Sequence, residues 1–183
     1  MSIYAWHENA SSASSVGDTD IVASYAAGTG APLKTPISVL TSAGATPVNA
    51  TAGATALALT AALHGNRTVT LNNTAPIAIT LPASSGSGVR FKVLVQVSAT
   101  ATSSTIKVAN GTDIMQGVTI STTTNAGQFP TTATSDTVSL NGGSTGGTIG
   151  TYYEFEDVKT GFWRVTGFDT SAVTATMYSA TVS

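Results

Sequence analysis

Two carboxylates, Glu154 and Glu156, stand two residues apart in the run Tyr152-Tyr153-Glu154-Phe155-Glu156-Asp157. On a β-strand that spacing sends both side chains to one face with Cα atoms about 7 Å apart, close to the separation used by a glycosidase carboxylate pair. The same residues also suit a purely structural face. Arg90 and Lys92 repeat the spacing with the opposite sign, and opposed charges on adjacent strands contribute about 0.2–1 kcal/mol each. The structural reading makes a concrete statement: the strand carrying Arg90 and Lys92 lies beside the strand carrying Glu154 and Glu156.

Other reactive side chains are sparse. His7 and His64 are the only imidazoles, and neither has a second histidine or a carboxylate at ligand spacing, so both read as structural or solvated. There is no cysteine, which excludes disulfides and thiolate metal sites. Gly28-Thr29-Gly30 lacks the third glycine of a dinucleotide fingerprint, and no phosphate-binding loop motif is present. The expectation is a non-enzymatic protein with no catalytic residue, no metal and no cofactor.

Half of the aromatic residues fall in two adjoining segments: Tyr152, Tyr153, Phe155, Phe162, Trp163 and Phe168. They read as core, with a stacking platform for sugar as the alternative. Tyr4 and Trp6 differ, because the segment around them has no core of its own in which to bury two rings. They are the candidate anchors into a partner, since large rings dominate interface energies when they fill a partner's pocket.

The elements that would position these residues are strands. Residues 1–50 show no sustained period and read as an extended N-terminal arm, broken at Gly28-Thr29-Gly30-Ala31-Pro32, with short β pieces at 20–25 and 37–40. From residue 51 to 183 alternation with period two is interrupted by turn residues every ten or so positions, the pattern of a sandwich or barrel. The clearest strand is 89–97, where Val89, Phe91, Val93, Val95 and Val97 share one face, and it is placed centrally in a sheet. Further strands are expected at 57–63, 69–71, 77–81, 105–109, 113–120, 136–140, 148–158, 161–168 and 173–182. The expected architecture is all-β: one antiparallel, jelly-roll-like β-sandwich or barrel, with threonine enrichment suiting a pleated surface.

Only 9 % of the 183 residues are charged, against roughly 25 % in ordinary soluble domains. Free monomers are kept apart by charge, and β-rich ones need charged residues at sheet edges, so much of this exterior is expected to face other subunits. A formal charge of −2 without a basic run gives no footprint for nucleic acid. The first residues lack the cationic start and apolar stretch of a secretory signal. The longest greasy run, 54–63, is about half of the roughly 20 residues a membrane helix needs, so neither secretion nor a membrane span is expected.

The stretch Ile106-Lys107-Val108-Ala109-Asn110-Gly111-Thr112-Asp113-Ile114-Met115-Gln116-Gly117-Val118 resembles head decoration proteins of tailed bacteriophages, also called cement or head-fibre proteins. Flanking blocks extend the resemblance over about residues 66–168. Upstream are Arg67-Thr68-Val69-Thr70-Leu71-Asn72, Ile79-Thr80-Leu81-Pro82-Ala83 and Gly86-Ser87-Gly88. Downstream are Leu140-Asn141-Gly142-Gly143-Ser144-Thr145-Gly146-Gly147, Glu154-Phe155-Glu156-Asp157 and Gly161-Phe162-Trp163-Arg164-Val165. The resemblance implies a structural virion protein, usually a homotrimer, that binds the major capsid protein on the outer capsid surface and clamps neighbouring capsomers. No residue role carries over from it. A tail-fibre or adhesin module binding host glycan through Tyr152, Tyr153 or Trp163 is the alternative.

Overall fold

The computed structural model describes residues 21–25, 32–36, 48–50, 54–72, 75–99, 104–121, 127–174 and 177–182. The chain forms two compact units, residues 1–45 and 46–183. In the first, strands β1 (Ile21–Tyr25) and β2 (Pro32–Pro36) pair antiparallel from Ile21 opposite Pro36 to Tyr25 opposite Pro32. The second is an all-β sandwich, and it takes in residues before position 51.

Its elements in chain order are β3 (Val48–Asn49), β4 (Ala56–Ala58), a four-residue helix α1 (Ala61–His64), β5 (Arg67–Leu71), β6 (Ala78–Thr80), β7 (Arg90–Val95), β8 (Ser104–Lys107), β9 (Ile114–Ser121), β10 (Gly127–Pro130), β11 (Thr137–Leu140), β12 (Tyr152–Lys159), β13 (Phe162–Asp169) and β14 (Tyr178–Ser179). They form two sheets, one of seven strands in the order β10-β9-β13-β12-β7-β5-β3 and one of five in the order β14-β11-β8-β6-β4. The inner faces enclose a single apolar cluster.

From β3 to β8 the chain alternates between the sheets, one strand in each per circuit, so that it winds as a flat coil. Neighbouring circuits are parallel: Val48 stands beside Val69 and Val69 beside Val93 in the large sheet, while Leu57, Ile79 and Ile106 line up in the small one. Ile79 and Ile106 are fully buried, as are Val69 and Val93. Each circuit covers the apolar edge of the one before it, the stacking logic of repeat proteins. Beyond β8 the chain changes style. β12 and β13 form a hairpin, β12 runs antiparallel to β7, and β11 runs antiparallel to both β8 and β14; among the described residues only β9 and β13 are parallel here.

Large rings fill the second half. Tyr153, Phe155 and Trp163 have no exposed surface, and Trp163 meets Phe91 of the coil at 5.8 Å between ring centroids. Glycine makes room for them: a Cβ on Gly167 would stand 2.8 Å from Tyr153 Cδ1. On Gly117 it would stand 1.7 Å from the Val165 carbonyl oxygen, so the β9–β13 contact tolerates no side chain at that position.

The all-β sandwich expected from alternation is what the chain forms, and β7 sits inside the large sheet with Phe91, Val93 and Val95 inward. Several particulars differ. The sheets are mixed rather than antiparallel, because a period of two reports faces and says nothing about the direction of a neighbouring strand. The strand expected at 57–63 stops at Ala58. Thr60 then caps α1, its hydroxyl accepting from Leu63 N at 3.3 Å, and Ala61-Ala62-Leu63 are strong helix formers. Among its described residues 173–182 contributes only β14, and the N–H groups of Thr181 and Val182 turn onto the Asp136 carboxylate. Gln128-Phe129-Pro130, which falls between the strands expected at 113–120 and 136–140, belongs to β10, an edge strand where proline's missing N–H is tolerated. The strand expected at 37–40 lies outside the described residues.

Candidate functional site

Glu154 and Glu156 lie on the outer face of the large sheet, and the predicted strand pairing holds: Glu154 stands opposite Lys92 and Glu156 opposite Arg90. Lys92 Nζ is 3.3 Å from Glu154 Oε1. Glu156 is gripped from both sides, by Arg90 Nη2 at 2.9 Å and Arg164 Nη1 at 3.5 Å. The carboxylate oxygens are taken up by cations instead of facing each other across a cleft. A shallow depression of about 150 Å³ lies among Arg90, Glu154, Glu156, Arg164 and Thr166. This arrangement is a charge ladder across three strands, in keeping with the observed register.

Beside that ladder runs an apolar row. Leu94, Tyr152, Phe168 and Ile120 occupy matching register positions on β7, β12, β13 and β9. The Tyr152 ring stacks on Phe168 at 5.9 Å, and Lys92 Nζ lies 4.4 Å from its centroid. The strands carrying these neighbours flank β12 on opposite sides, so Tyr152 is held between them. Tyr153 and Trp163, the other two residues proposed for sugar stacking, are fully buried. Of the six clustered aromatics, Tyr153, Phe155 and Trp163 are core, while Tyr152, Phe162 and Phe168 are half-buried on the outer face.

The buried acids, which the sequence left unassigned, form a pattern. Asp113, Asp136, Asp157 and Asp169 each continue the inward phase of a strand to its end, and each holds a loop. Asp157 accepts from Ser85, Gly86 and Ser87 backbone N–H groups and from the Ser85 and Ser87 hydroxyls, at 2.7 to 3.1 Å. Burial alone would push its carboxyl up, but these donors, led by the Ser87 hydroxyl, outweigh burial and hold it at about 2. Asp113 takes the neighbouring Ser84 N–H at 2.9 Å. Asp169 accepts from Gly147 N, Ser171 N, the Ser171 hydroxyl and the Tyr153 hydroxyl. Burial, with the Asp169 charge beside it, pushes the Tyr153 phenol well above its usual range. Carboxylates on the inward phase of an alternating strand were the available signal, since a buried charge must find donors.

His64 is buried at the end of α1, where its Nδ1 accepts from Thr60 N at 3.0 Å; burial lowers its pKa from the usual value. Gly142-Gly143-Ser144-Thr145-Gly146 has the spelling of a nucleophile elbow. Here it is a loop after β11, its Asn141 side chain donating to Ser144 Oγ at 2.9 Å and accepting from Gly143 and Thr145 N–H. Among the described residues neither the strand-to-helix turn nor an adjacent histidine accompanies it. Among the described residues no group of three or more His, Cys, Asp or Glu is placed to hold a metal, and no helix is long and apolar enough to cross a membrane. Tyr4, Trp6 and His7 lie outside the described residues.

The outer face of the small sheet is different in kind. Ala56, Ala58, Ala78, Thr80, Thr105 and Ser139 make it flat and small-featured, and Lys107 is its one charged residue among the strands' outward positions. On α1, which packs near β5 of the large sheet, Leu63 is 62 % exposed, in a stretch from residue 50 to 65 that contains no Lys, Arg, Asp or Glu. Compared with known protein families, curated proteins and solved structures, the chain matches none.

Proposed function

We propose that this protein is a structural virion subunit, a head decoration protein that oligomerises, as a homotrimer, on the outer surface of a phage capsid and clamps neighbouring capsomers. The observation that carries the reading is the outer face of the small sheet. A flat surface of alanine, threonine and serine lets another backbone approach closely, and one lysine leaves little charge to desolvate on contact. The resemblance over residues 66–168 supplies the kind of assembly. The buried aspartates support a structural role, because each is committed to holding a loop.

In this reading the small-sheet face meets a subunit or the shell, and Tyr4 and Trp6 anchor the N-terminal segment in a partner pocket. Burying surface across a capsomer boundary raises the cost of rupture by the binding free energy of each clamp, and three joined contacts gain avidity of about 10²–10⁴ over one. Particles stripped of the protein should release DNA at lower temperature than decorated ones, and re-addition of the wild-type chain should restore them. An Ala78→Arg variant, folded but charged on the flat face, should not restore them. Equal heat resistance with and without the protein rejects the reading.

A further inference from the structure

The sequence holds two Asn-Gly pairs, Asn110-Gly111 and Asn141-Gly142, and the fold gives them opposite surroundings. Asn110 lies in the turn between β8 and β9, with Gly111 and Thr112 exposed beside it. We propose that Asn110 is a self-modification site, where attack by the Gly111 nitrogen expels the side-chain amide as ammonia and leaves aspartate or isoaspartate in the folded protein.

The reaction needs an available nucleophile, a polarised carbonyl and a nitrogen able to leave. Glycine supplies a peptide nitrogen that no side chain shields. At Gly111 that N–H has no protein acceptor among the described residues, and neither has the Asn110 side-chain amide nitrogen. Asn110 Oδ1 accepts from Thr112 N at 2.9 Å, Thr112 Oγ1 at 2.6 Å and Asp113 N at 3.0 Å. As the bond from Gly111 N to Asn110 Cγ forms, negative charge gathers on Oδ1, where three donors already point, as they do in an oxyanion hole. Solvent carries the Gly111 proton to the departing nitrogen, the Cγ–Nδ2 bond breaks, ammonia leaves and a five-membered imide closes. Water then opens the imide at either carbonyl, giving a carboxylate on a normal main chain or on one lengthened by a carbon. The lengthened form would shift the segment that carries Asp113, whose carboxylate holds the Ser84 N–H.

Asn141 is the control within the same molecule. Its Oδ1 also accepts two N–H groups, but both reacting nitrogens are engaged: Gly142 N donates to Gly146 O at 2.8 Å, and Asn141 Nδ2 to Ser144 Oγ at 2.9 Å. Gly142 is also packed so tightly that a Cβ there would stand 1.8 Å from the Ala99 carbonyl oxygen, which obstructs the rotation ring closure requires.

The test is incubation of the full chain in heavy-oxygen water at mildly alkaline pH, natively and in denaturant, followed by peptide mapping in the mass spectrometer and enzymatic labelling of isoaspartate. In the native protein the label should enter residue 110 at least about tenfold faster than residue 141. In denaturant the two sites should react at similar rates. Thr112→Val removes one donor at an exposed position, and should slow native conversion at residue 110 by about threefold or more, less than the roughly 10²–10³ lost per donor in a water-excluded enzyme site. Thr112→Ser, which keeps the hydroxyl, should react as the wild type does. Native conversion at residue 141 as fast as at residue 110, no conversion at residue 110, a preference that persists in denaturant, or an unchanged rate in Thr112→Val overturns the proposal.

Discussion

The coil of residues 48–107 and the hairpin-rich part from 113 to 182 build the same two sheets by opposite means. The coil stacks parallel circuits filled almost wholly with aliphatic side chains, carries four cations and has no carboxylate. The second part pairs mainly antiparallel, fills its interior with Tyr153, Phe155 and Trp163, and carries six carboxylates against two cations. The near-neutral total therefore hides two halves of opposite sign. They meet at β7 and β12, where Lys92 and Arg90 face Glu154 and Glu156, and at the crossover 84–87, whose N–H groups come from the coil and whose carboxylates, Asp113 and Asp157, come from the other half. Neutrality of composition and neutrality of surface are separate properties.

Substitutions in the core, at the tie and at the seam probe that contrast in descending order of expected effect, with exposed Leu63 as a control. Gly117→Ala strikes the one parallel contact of the second half, where a methyl meets backbone 1.7 Å away; a loss above about 4 kcal/mol, or failure to fold, is expected in chemical denaturation. Ile79→Ala opens a cavity in the middle circuit of the coil and should cost about 2–5 kcal/mol. Leu63→Ala, at an exposed site near the same coil, should stay within about 0.5 kcal/mol, and similar losses for the two would contradict the packing described.

Asp157→Asn tests the tie between halves. The wild-type carboxyl is held at about 2, below the ordinary 3.8, so its ionisation stabilises the fold fully above about pH 4, and that contribution disappears as pH falls towards 2. The variant should lose about 1–2 kcal/mol at pH 7 and show a flatter decline of melting temperature between pH 4 and 2. Apart from the Leu63 control, the smallest effect belongs to the ladder at the seam. Glu154→Lys should destabilise by up to about 1 kcal/mol, Lys92→Glu likewise, and the double reversal should recover most of the loss; a double variant as weak as the sum of the singles would argue against coupling.

The contrast also explains what the sequence reveals. Strand faces were legible because Val89-Arg90-Phe91-Lys92-Val93 alternates without interruption, and the adjacency of β7 and β12 followed from matched charge spacing. Strand direction was not legible, since parallel and antiparallel neighbours impose the same period. The coil left no visible repeat, because its circuits share only a few inward aliphatic positions, Val69 with Val93 and Ile79 with Ile106. At Thr60 a single capping hydroxyl turned an alternating run into helix. Of the site, the salt-bridged face was readable from charge, but the burial of Tyr153 and Trp163 beside an outward Tyr152 depended on phase along the two hairpin strands. The loop-holding aspartates required knowing which turns fold back on them.

One consequence of the coil concerns growth. In the hydrogen-bonding direction each circuit contacts only its predecessor and successor, as Val48, Val69 and Val93 do in turn. Inserting another circuit of the same kind would widen both sheets by one strand while leaving the aspartate-tied half unchanged. The breadth of the molecule and the security of its closure are thus written in different stretches of the gene, and either can be altered without renegotiating the other.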